Sequence, residues 1–323
     1  MIADPYWPHK VATGQWGNIR PCLSCNACLD HHFVGQDLYA LRCSVNPNAA
    51  LEDEIRMTPA DKKKKVMVVG GGPAGMEAAK TAALRGHDVV LCEESSSLGG
   101  MLIPASKPPH KEDIALFRRY QAIELRRTGV QVITGRKADK DYIRSLKPDA
   151  LILATGSHPI RPDVPGKDCK NVVSGVDVLL GRVDLGRKVV VVGGGLVGCE
   201  TALFLAEQGR PVTILEMLNE IGADILPTTR SAIIQKLKEK GVIMEVNAKA
   251  LEFNEEGVVA ERFGKRELFE ADIMVLALGM ESNSELVEEL KNEVKEVYVV
   301  GDCAKPRKIR DAVHEGAKAG REV

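Results

Sequence analysis

No stretch of the sequence approaches the ~20 consecutive apolar residues that a membrane helix needs. The first residues, Met1 to Lys10, also lack the apolar core of a secretory signal. The expectation is a cytoplasmic chain with no membrane span. Charge imbalance is absent too: 44 Lys and Arg against 45 Asp and Glu leave a formal net charge of -1. Nothing electrostatic therefore calls for nucleic acid or an anionic membrane as partner. The one basic block, Lys62–Lys65, immediately precedes a predicted strand and reads as a solvated linker end. Among Cys92, Cys169, Cys199 and Cys303 no C-x-x-C pair of the redox-active disulfide kind occurs. Cys92 falls in a predicted buried strand and reads as a small hydrophobe. No Ser/His/Asp arrangement with recognisable local context occurs, and His87, His110, His158 and His314 read as surface or turn residues.

What is present is room for two ordinary domains and an extension, in 323 residues with 44% hydrophobic and 28% charged content. Residues 1–47 are irregular and hold four of the eight cysteines; a polar connection, Asn48 to Lys65, follows. From Val66 short β-branched runs alternate with helical periods, the pattern of βαβ units on a parallel sheet. The first unit runs Val66–Val69, a glycine turn, a helix from about Ala74 to Arg85, then Asp88–Leu91. The second runs Val189–Val192, a glycine turn, a helix to about Gln208, then Val212–Leu215. The same supersecondary unit is written twice. The three prolines between Ser157 and Gly166 suit a crossover between domains. Val297–Val300 reads as one more buried strand, and a last helix starts near Arg310.

Both turns fit G-x-G-x-x-G: Gly70, Gly72 and Gly75 with Pro73 and Ala74 between, and Gly193, Gly195 and Gly198 with Leu196 and Val197 between. The first glycine permits a tight turn, the second lets backbone approach a pyrophosphate, and the third allows close helix–strand packing. The helix N-terminus then aims free N–H groups at phosphate. Each turn is followed by an acid at the end of the next strand, Glu93 (93 − 70 = 23) and Glu216 (216 − 193 = 23). Those offsets are close to the ~20 expected of a carboxylate that binds an adenosine ribose. Two fingerprints with equal offsets point to two dinucleotides. Glu216 repels a 2′-phosphate and so favours NADH over NADPH, with Arg210 and Arg230 the cations that could still reach the site.

Cys22, Cys25 and Cys28 are spaced C-x2-C-x2-C, and Cys43 lies 15 positions beyond Cys28. Four thiolates satisfy a 4Fe–4S cube, one per iron. A triplet plus one distant cysteine differs from the two separated pairs of structural zinc, which with a disulfide arrangement remains the alternative. His31 and His32 are possible substitute ligands, read here as loop residues.

Further pieces carry a family resemblance: Leu98-Gly99-Gly100, Ala154-Thr155-Gly156, Leu278-Gly279 and Gly301-Asp302. With them the two-domain part resembles the two-dinucleotide-binding-domain flavoprotein disulfide reductases. The resemblance implies that the first domain, completed by the C-terminal segment, binds FAD, and that the inserted second domain binds NADH. It implies that Asp302 holds the flavin ribitol, and that the helix after it directs its N-terminus at the flavin pyrimidine edge. Cys303, beside Asp302, is then the one remaining cysteine whose position could approach a flavin.

The N-terminal segments Ala3-Asp4-Pro5, Pro8-His9-Lys10, Ile19–Cys22 and Cys43–Pro47 narrow this. They resemble the barrel-to-cluster junction of the group containing trimethylamine dehydrogenase and 2,4-dienoyl-CoA reductase, the old yellow enzyme-related iron–sulfur flavoproteins. The triplet is like that of the former; the interval to Cys43 is longer than either member leads one to expect, so the loop holding Leu38 to Arg42 should differ.

The expected fold is therefore α/β: two nested Rossmann-like domains with an irregular N-terminal iron–sulfur segment. The expected divisions are 1–62 for the barrel-tail remnant, cluster segment and linker, 63–165 plus 294–323 for the FAD domain, and 166–292 for the NAD(H) domain. The resemblance implies electron flow from NADH through FAD to the cluster. The expected acceptor is FMN in a TIM barrel supplied by another domain or subunit, within a larger oligomer that reduces an enoyl-type substrate. The alternative is a redox-silent module whose first site holds ADP, in an amine dehydrogenase-like enzyme.

Overall fold

A computed structural model describes residues 2–29, 41–290 and 293–323. Two compact units emerge: Met1–Ser106, Glu112–His158 and Glu281–Val323 make the first, Lys107–Lys111 and Pro159–Met280 the second. No helix among the described residues is long and apolar enough to cross a membrane.

The first unit is built on a parallel sheet ordered Glu296–Val299, Ala150–Leu153, Lys65–Val69, Asp88–Cys92, Gln131–Ile133. Its central strand is apolar on both faces because both are covered, as a parallel sheet requires. Alternation along the strand sorts the layers. Val66 and Val68 join the core that holds Met76, Phe117, Leu125 and Val313, from the helices Pro73–Leu84, Glu112–Arg127 and Ile309–Glu322. Met67 and Val69 turn the other way, toward Ile143 of helix Lys140–Leu146 and Leu290 of helix Glu285–Leu290.

The last helix completes this unit by lying against Pro73–Leu84. Two glycines make the approach possible. A Cβ on Gly316 would run into the Ala74 carbonyl, and one on Gly320 would stand 2.6 Å from the Ala78 carbonyl oxygen. The buried pair Glu77–Lys80, 2.5 Å apart, lies on the same helix as Ala74 and Ala78.

The basic block is more than a linker end. Lys62 and Lys63 are exposed, but Lys64 pairs with Glu296 at 2.7 Å and donates to the Val323 carbonyl at 3.1 Å. It fastens the start of the central strand to the far end of the chain. His87, read as a surface residue, is buried, and its Nδ1 accepts the Lys64 N–H at 3.1 Å. The helix ahead of it ends at Leu84 and Gly86 turns with φ +96°, which folds the imidazole inward.

In the second unit the parallel order is Val172–Ser174, Ile273–Leu276, Val189–Val192, Val212–Leu215, Ile243–Glu245. Val189 and Val191 face the helices Leu196–Glu207 and Pro227–Glu239. Val190 and Val192 face Phe253, Val258 and Ala260 of an antiparallel sheet, Ala248–Phe253, Gly257–Arg262 and Lys265–Glu270. That antiparallel layer stands where the first unit has helices.

Candidate functional site

The first turn is closed from below and open above. Gly70 has φ +107°, and a side chain there would run into the Ala154 carbonyl. Gly75 is pressed against the Gly70 carbonyl in the same way, so strand, turn and helix meet without room for a methyl group. Gly72, by contrast, has no heavy atom within 4 Å of where a Cβ would stand. It caps helix Pro73–Leu84, so the space opens at a helix N-terminus, where anions are favoured.

Glu93 is buried beside it, its carboxylate accepting the Gly71 N–H at 2.6 Å and the Ser95 N–H at 2.7 Å. A carboxylate has about four lone-pair positions, so two remain for a ribose diol. Gly99 donates to the Gly71 carbonyl at 2.8 Å, and Gly100 lies against Gly72. At the end of strand Ala150–Leu153, Thr155 Oγ1 donates to the Asn283 carbonyl at 2.7 Å, while the Gly156 carbonyl accepts the Asn283 N–H at 3.0 Å. Gly301 packs against Ala74 with φ +69°, and Asp302 follows. The Asp302 carboxylate accepts the Ser157 hydroxyl at 3.1 Å and the Arg307 N–H at 3.1 Å. Thr155 and Cys303 also meet, Oγ1 to Sγ at 2.9 Å; Cys303 is fully buried.

The second turn repeats the geometry. Gly193 has φ +109° against the Ala277 carbonyl, and Gly198 is pressed on the Gly193 carbonyl. Glu216 is buried, accepting the Gly194 N–H at 2.6 Å and the Leu218 N–H at 2.8 Å. A cleft of about 500 Å³ opens over this turn, lined by Gly195, Leu196, Val197, Glu216, Leu278 and Gly279 among others, within the size range of small-molecule sites. Val197 and Met217 expose apolar surface to it. The two arginines that could favour a 2′-phosphate are engaged elsewhere. Arg230 pairs with Glu220 at 2.7 Å and donates to the Ile221 carbonyl, and Arg210 donates to the Leu185 and Gly186 carbonyls.

Sequence reasoning missed two carboxylates here. Asp224 accepts the Leu196 N–H at 2.9 Å, at the mouth of the second turn. Glu200 pairs with Lys111 at 2.5 Å; burial pushes its pKa up, with Lys111 opposing. The repeat aligns Asp224 with Met101 of the first copy and so announces no acid there, and Lys111 is too far along the chain from Glu200 to be paired with it by spacing.

In the N-terminal segment Asp4 is the hub. It accepts the Lys10 ammonium at 2.7 Å, the Arg20 N–H at 2.8 Å and the Tyr6 N–H at 3.1 Å. Burial works against its charge, and these partners outweigh it, holding the carboxyl below the usual range. Arg20 reaches the Tyr120 hydroxyl, and Cys43, Val45 and Ala49 enter the core of the first unit.

Ser24 and Asn26 take left-handed backbone, φ 52° and 58°, on either side of Cys25. Ser24 donates its N–H to Cys22 Sγ at 3.3 Å, and Cys25 Sγ lies 3.2 Å from the Ser44 hydroxyl. Burial raises the pKa of Cys28 and of Cys43. Backbone N–H groups at Cys28 and Leu29, and at Val45 and Asn46, oppose that rise, while Cys22 and Cys25 add to both.

Among the described residues no three His, Cys, Asp or Glu side chains converge as single-ion ligands. A cubane would spread four thiolates over four irons, and thiol sulfur with backbone N–H donors beside Cys22, Cys28 and Cys43 is chemistry that suits it. His314, read as a surface residue, bonds the Cys43 carbonyl through Nε2 at 2.8 Å. His31, His32 and positions 38–40 lie outside the described residues.

The pyridine nucleotide-disulphide oxidoreductase family matches residues 64–316. The chain is similar to an NADH oxidase of Thermoanaerobacter brockii, 44% identical over 332 residues, covering 100% of this chain and 50% of that protein. Among solved structures it is similar to a 2-naphthoyl-CoA reductase in complex with 2-naphthoyl-CoA, at TM-score 0.96 and 38% identity, covering 100% of this chain and 49% of the other. A histamine dehydrogenase from Rhizobium sp. 4-9 follows at TM-score 0.87 and 25% identity, covering 100% and 54%. The chain spans about half the length of these relatives. The resemblance and the α/β fold class read from the sequence are both borne out.

Proposed function

The chain belongs to the pyridine nucleotide-disulphide oxidoreductase family, and on that premise we propose that it is an electron-transfer module oxidising NADH through FAD toward a 4Fe–4S cluster. The observation that carries this reading is the repeat itself. Two separate units each offer a glycine turn at a helix N-terminus, with a buried carboxylate bonded to the turn.

In the first unit the residues that would hold FAD are the Gly70–Gly75 turn, Glu93, Gly99, Gly100, Ala154, Thr155, Gly156, Gly301 and Asp302. The open space at Gly72 suits its pyrophosphate. In the second unit the Gly193–Gly198 turn, Glu216 and Gly279 would hold NADH. Cys22, Cys25, Cys28 and Cys43 would hold the cluster. A bound flavin supplies the chemistry that a nicotinamide lacks, taking up two electrons together and releasing them singly.

The chain's own residues do the rest. Turn amides and helix dipoles hold phosphate, and the two buried glutamates hold ribose diols in one orientation. Helix Ile309–Glu322, which follows Asp302, offers N-terminal amides that favour negative charge on a flavin held there. The N–H groups around Cys22, Cys28 and Cys43 stabilise thiolate charge.

The acceptor is an FMN-containing TIM-barrel domain or subunit, acting on an enoyl-type substrate within a larger oligomer. Relatives about twice as long support this, as do Tyr6 and Trp16, which are 69% and 63% exposed in the N-terminal segment.

The test is an anaerobic absorbance spectrum of the purified chain, then NADH addition, nucleotide release and iron assay. A flavin band near ~450 nm that bleaches with NADH, over an iron–sulfur shoulder, is the expected result. Released ADP without a flavin band would sink it and favour the redox-silent module.

A further inference from the structure

The two glycine turns are one device built twice, so residues at equal offsets compare directly. Gly99 and Gly222 each follow the first glycine of their turn by the same interval (99 − 70 = 29; 222 − 193 = 29). Each donates its N–H to the carbonyl of the second turn residue, to Gly71 at 2.8 Å and to Gly194 at 2.7 Å. Two positions later the copies part: Met101 in the first, Asp224 in the second (101 − 70 = 31; 224 − 193 = 31).

The consequence falls on the helix N-termini. In the second copy Asp224 Oδ1 accepts the N–H of Leu196, the first helical residue, at 2.9 Å. Its two carboxylate oxygens lie 3.1 and 3.3 Å from where a Cβ on Gly195 would stand. In the first copy the matching residue is Pro73, which has no N–H to give, and the space at Gly72 is clear to 4 Å. A negatively charged oxygen thus already sits on the first helical amide at the mouth of the second turn, where the first unit has neither that amide nor a carboxylate.

We infer that Asp224 is an internal occupant of the pyrophosphate subsite, which NADH displaces from the Leu196 amide, so that this residue sets the affinity for the dinucleotide. The inference rests on the second unit's being the NADH site. A pyrophosphate carries charge of the same sign as Asp224, so the two do not share one N–H group without cost. Asp224 is solvent-exposed, so its carboxylate meets water when it leaves the Leu196 amide. A ligand with an adenosine but no phosphate need not move it at all.

The experiment uses the full-length, flavin-loaded protein and two probes, ADP-ribose and adenosine, by calorimetric titration. Asp224→Asn keeps an acceptor for the Leu196 N–H but removes the charge; Asp224→Ala removes both. ADP-ribose should bind Asp224→Asn roughly tenfold more tightly than wild type, the scale of a charge effect at a helix terminus, while adenosine affinity stays the same. Unchanged or weaker ADP-ribose binding in both variants overturns the inference, and so does an equal gain for adenosine, which would mean general loosening. A wild-type protein that binds ADP-ribose without a gain in the variants fails the inference alone. Absence of ADP-ribose and NADH binding in wild type and variants alike overturns the second unit's assignment with it.

Discussion

Replacing Gly320 by Ala should destabilise the first unit, against the usual trend for a helical glycine. In helix Ile309–Glu322 the change contributes about 0.5–1 kcal/mol of helix propensity. The added Cβ, however, stands 2.6 Å from the Ala78 carbonyl oxygen, 2.7 Å from Thr81 Cβ and 3.0 Å from the Ala82 nitrogen. Ordinary contact begins near ~3.5 Å, so relief takes almost an ångström of movement. The neighbours are backbone atoms and a Cβ, which no rotamer change can clear. Overpacking of this kind costs about 1–3 kcal/mol, which outweighs the propensity gain. The net loss should be about 1–2 kcal/mol, or a Tm lower by roughly 3–6 °C for a unit of this size. Flavin content should fall with it, since Gly301 and Asp302 lead into the same helix. Differential scanning calorimetry of Gly320→Ala beside Lys318→Ala, on the exposed side of the helix, measures this; the control should stay within about 0.5 kcal/mol. A rise in Tm for Gly320→Ala would refute the reasoning, for propensity would then have beaten packing.

Glu77→Ala leaves the Lys80 ammonium buried without its partner and should cost about 3–5 kcal/mol in urea denaturation, while Glu77→Met with Lys80→Met recovers most of it. No cost for the single change would mean that water reaches the pair. Burial, then the charges of Arg85 and Lys64, hold His87 below its ordinary value of 6.5. The unfolded chain binds that proton more tightly, so the contribution is complete above 6.5 and is lost as pH falls from there through the folded-state value. Denaturation midpoints should drop across that window, and His87→Gln should flatten part of the slope; an unchanged slope refutes the assignment. Cys43→Ala should lower iron and acid-labile sulfide from about four per chain to below one, with Cys169→Ala unaffected. Retention of metal in Cys43→Ala would remove that residue from the ligand set.

The sequence by itself determined what is local. The glycine turns, the acids 23 positions on and the β-branched central strands lie within single βαβ units, where spacing along the chain sets the geometry. Cys92 reads as buried and is buried, for the same reason.

Tertiary structure alone decided what depends on distant partners. Gly316 and Gly320 look like helix-weakening residues until Ala74 and Ala78, over 240 positions away, are laid against them. Glu77 and Lys80 have the spacing of an exposed helical pair, and they are buried because other segments close over them. Lys64, His87 and His314 acquire partners from Glu296, the Lys64 amide and the Cys43 carbonyl, none of which any periodicity announces. Asp224 belongs with them. The repeat aligns it with Met101, and only the folded loop brings a carboxylate onto the Leu196 amide. Short-range spacing fixes a backbone turn, whereas the charge that a turn meets is set by whichever chain returns to it.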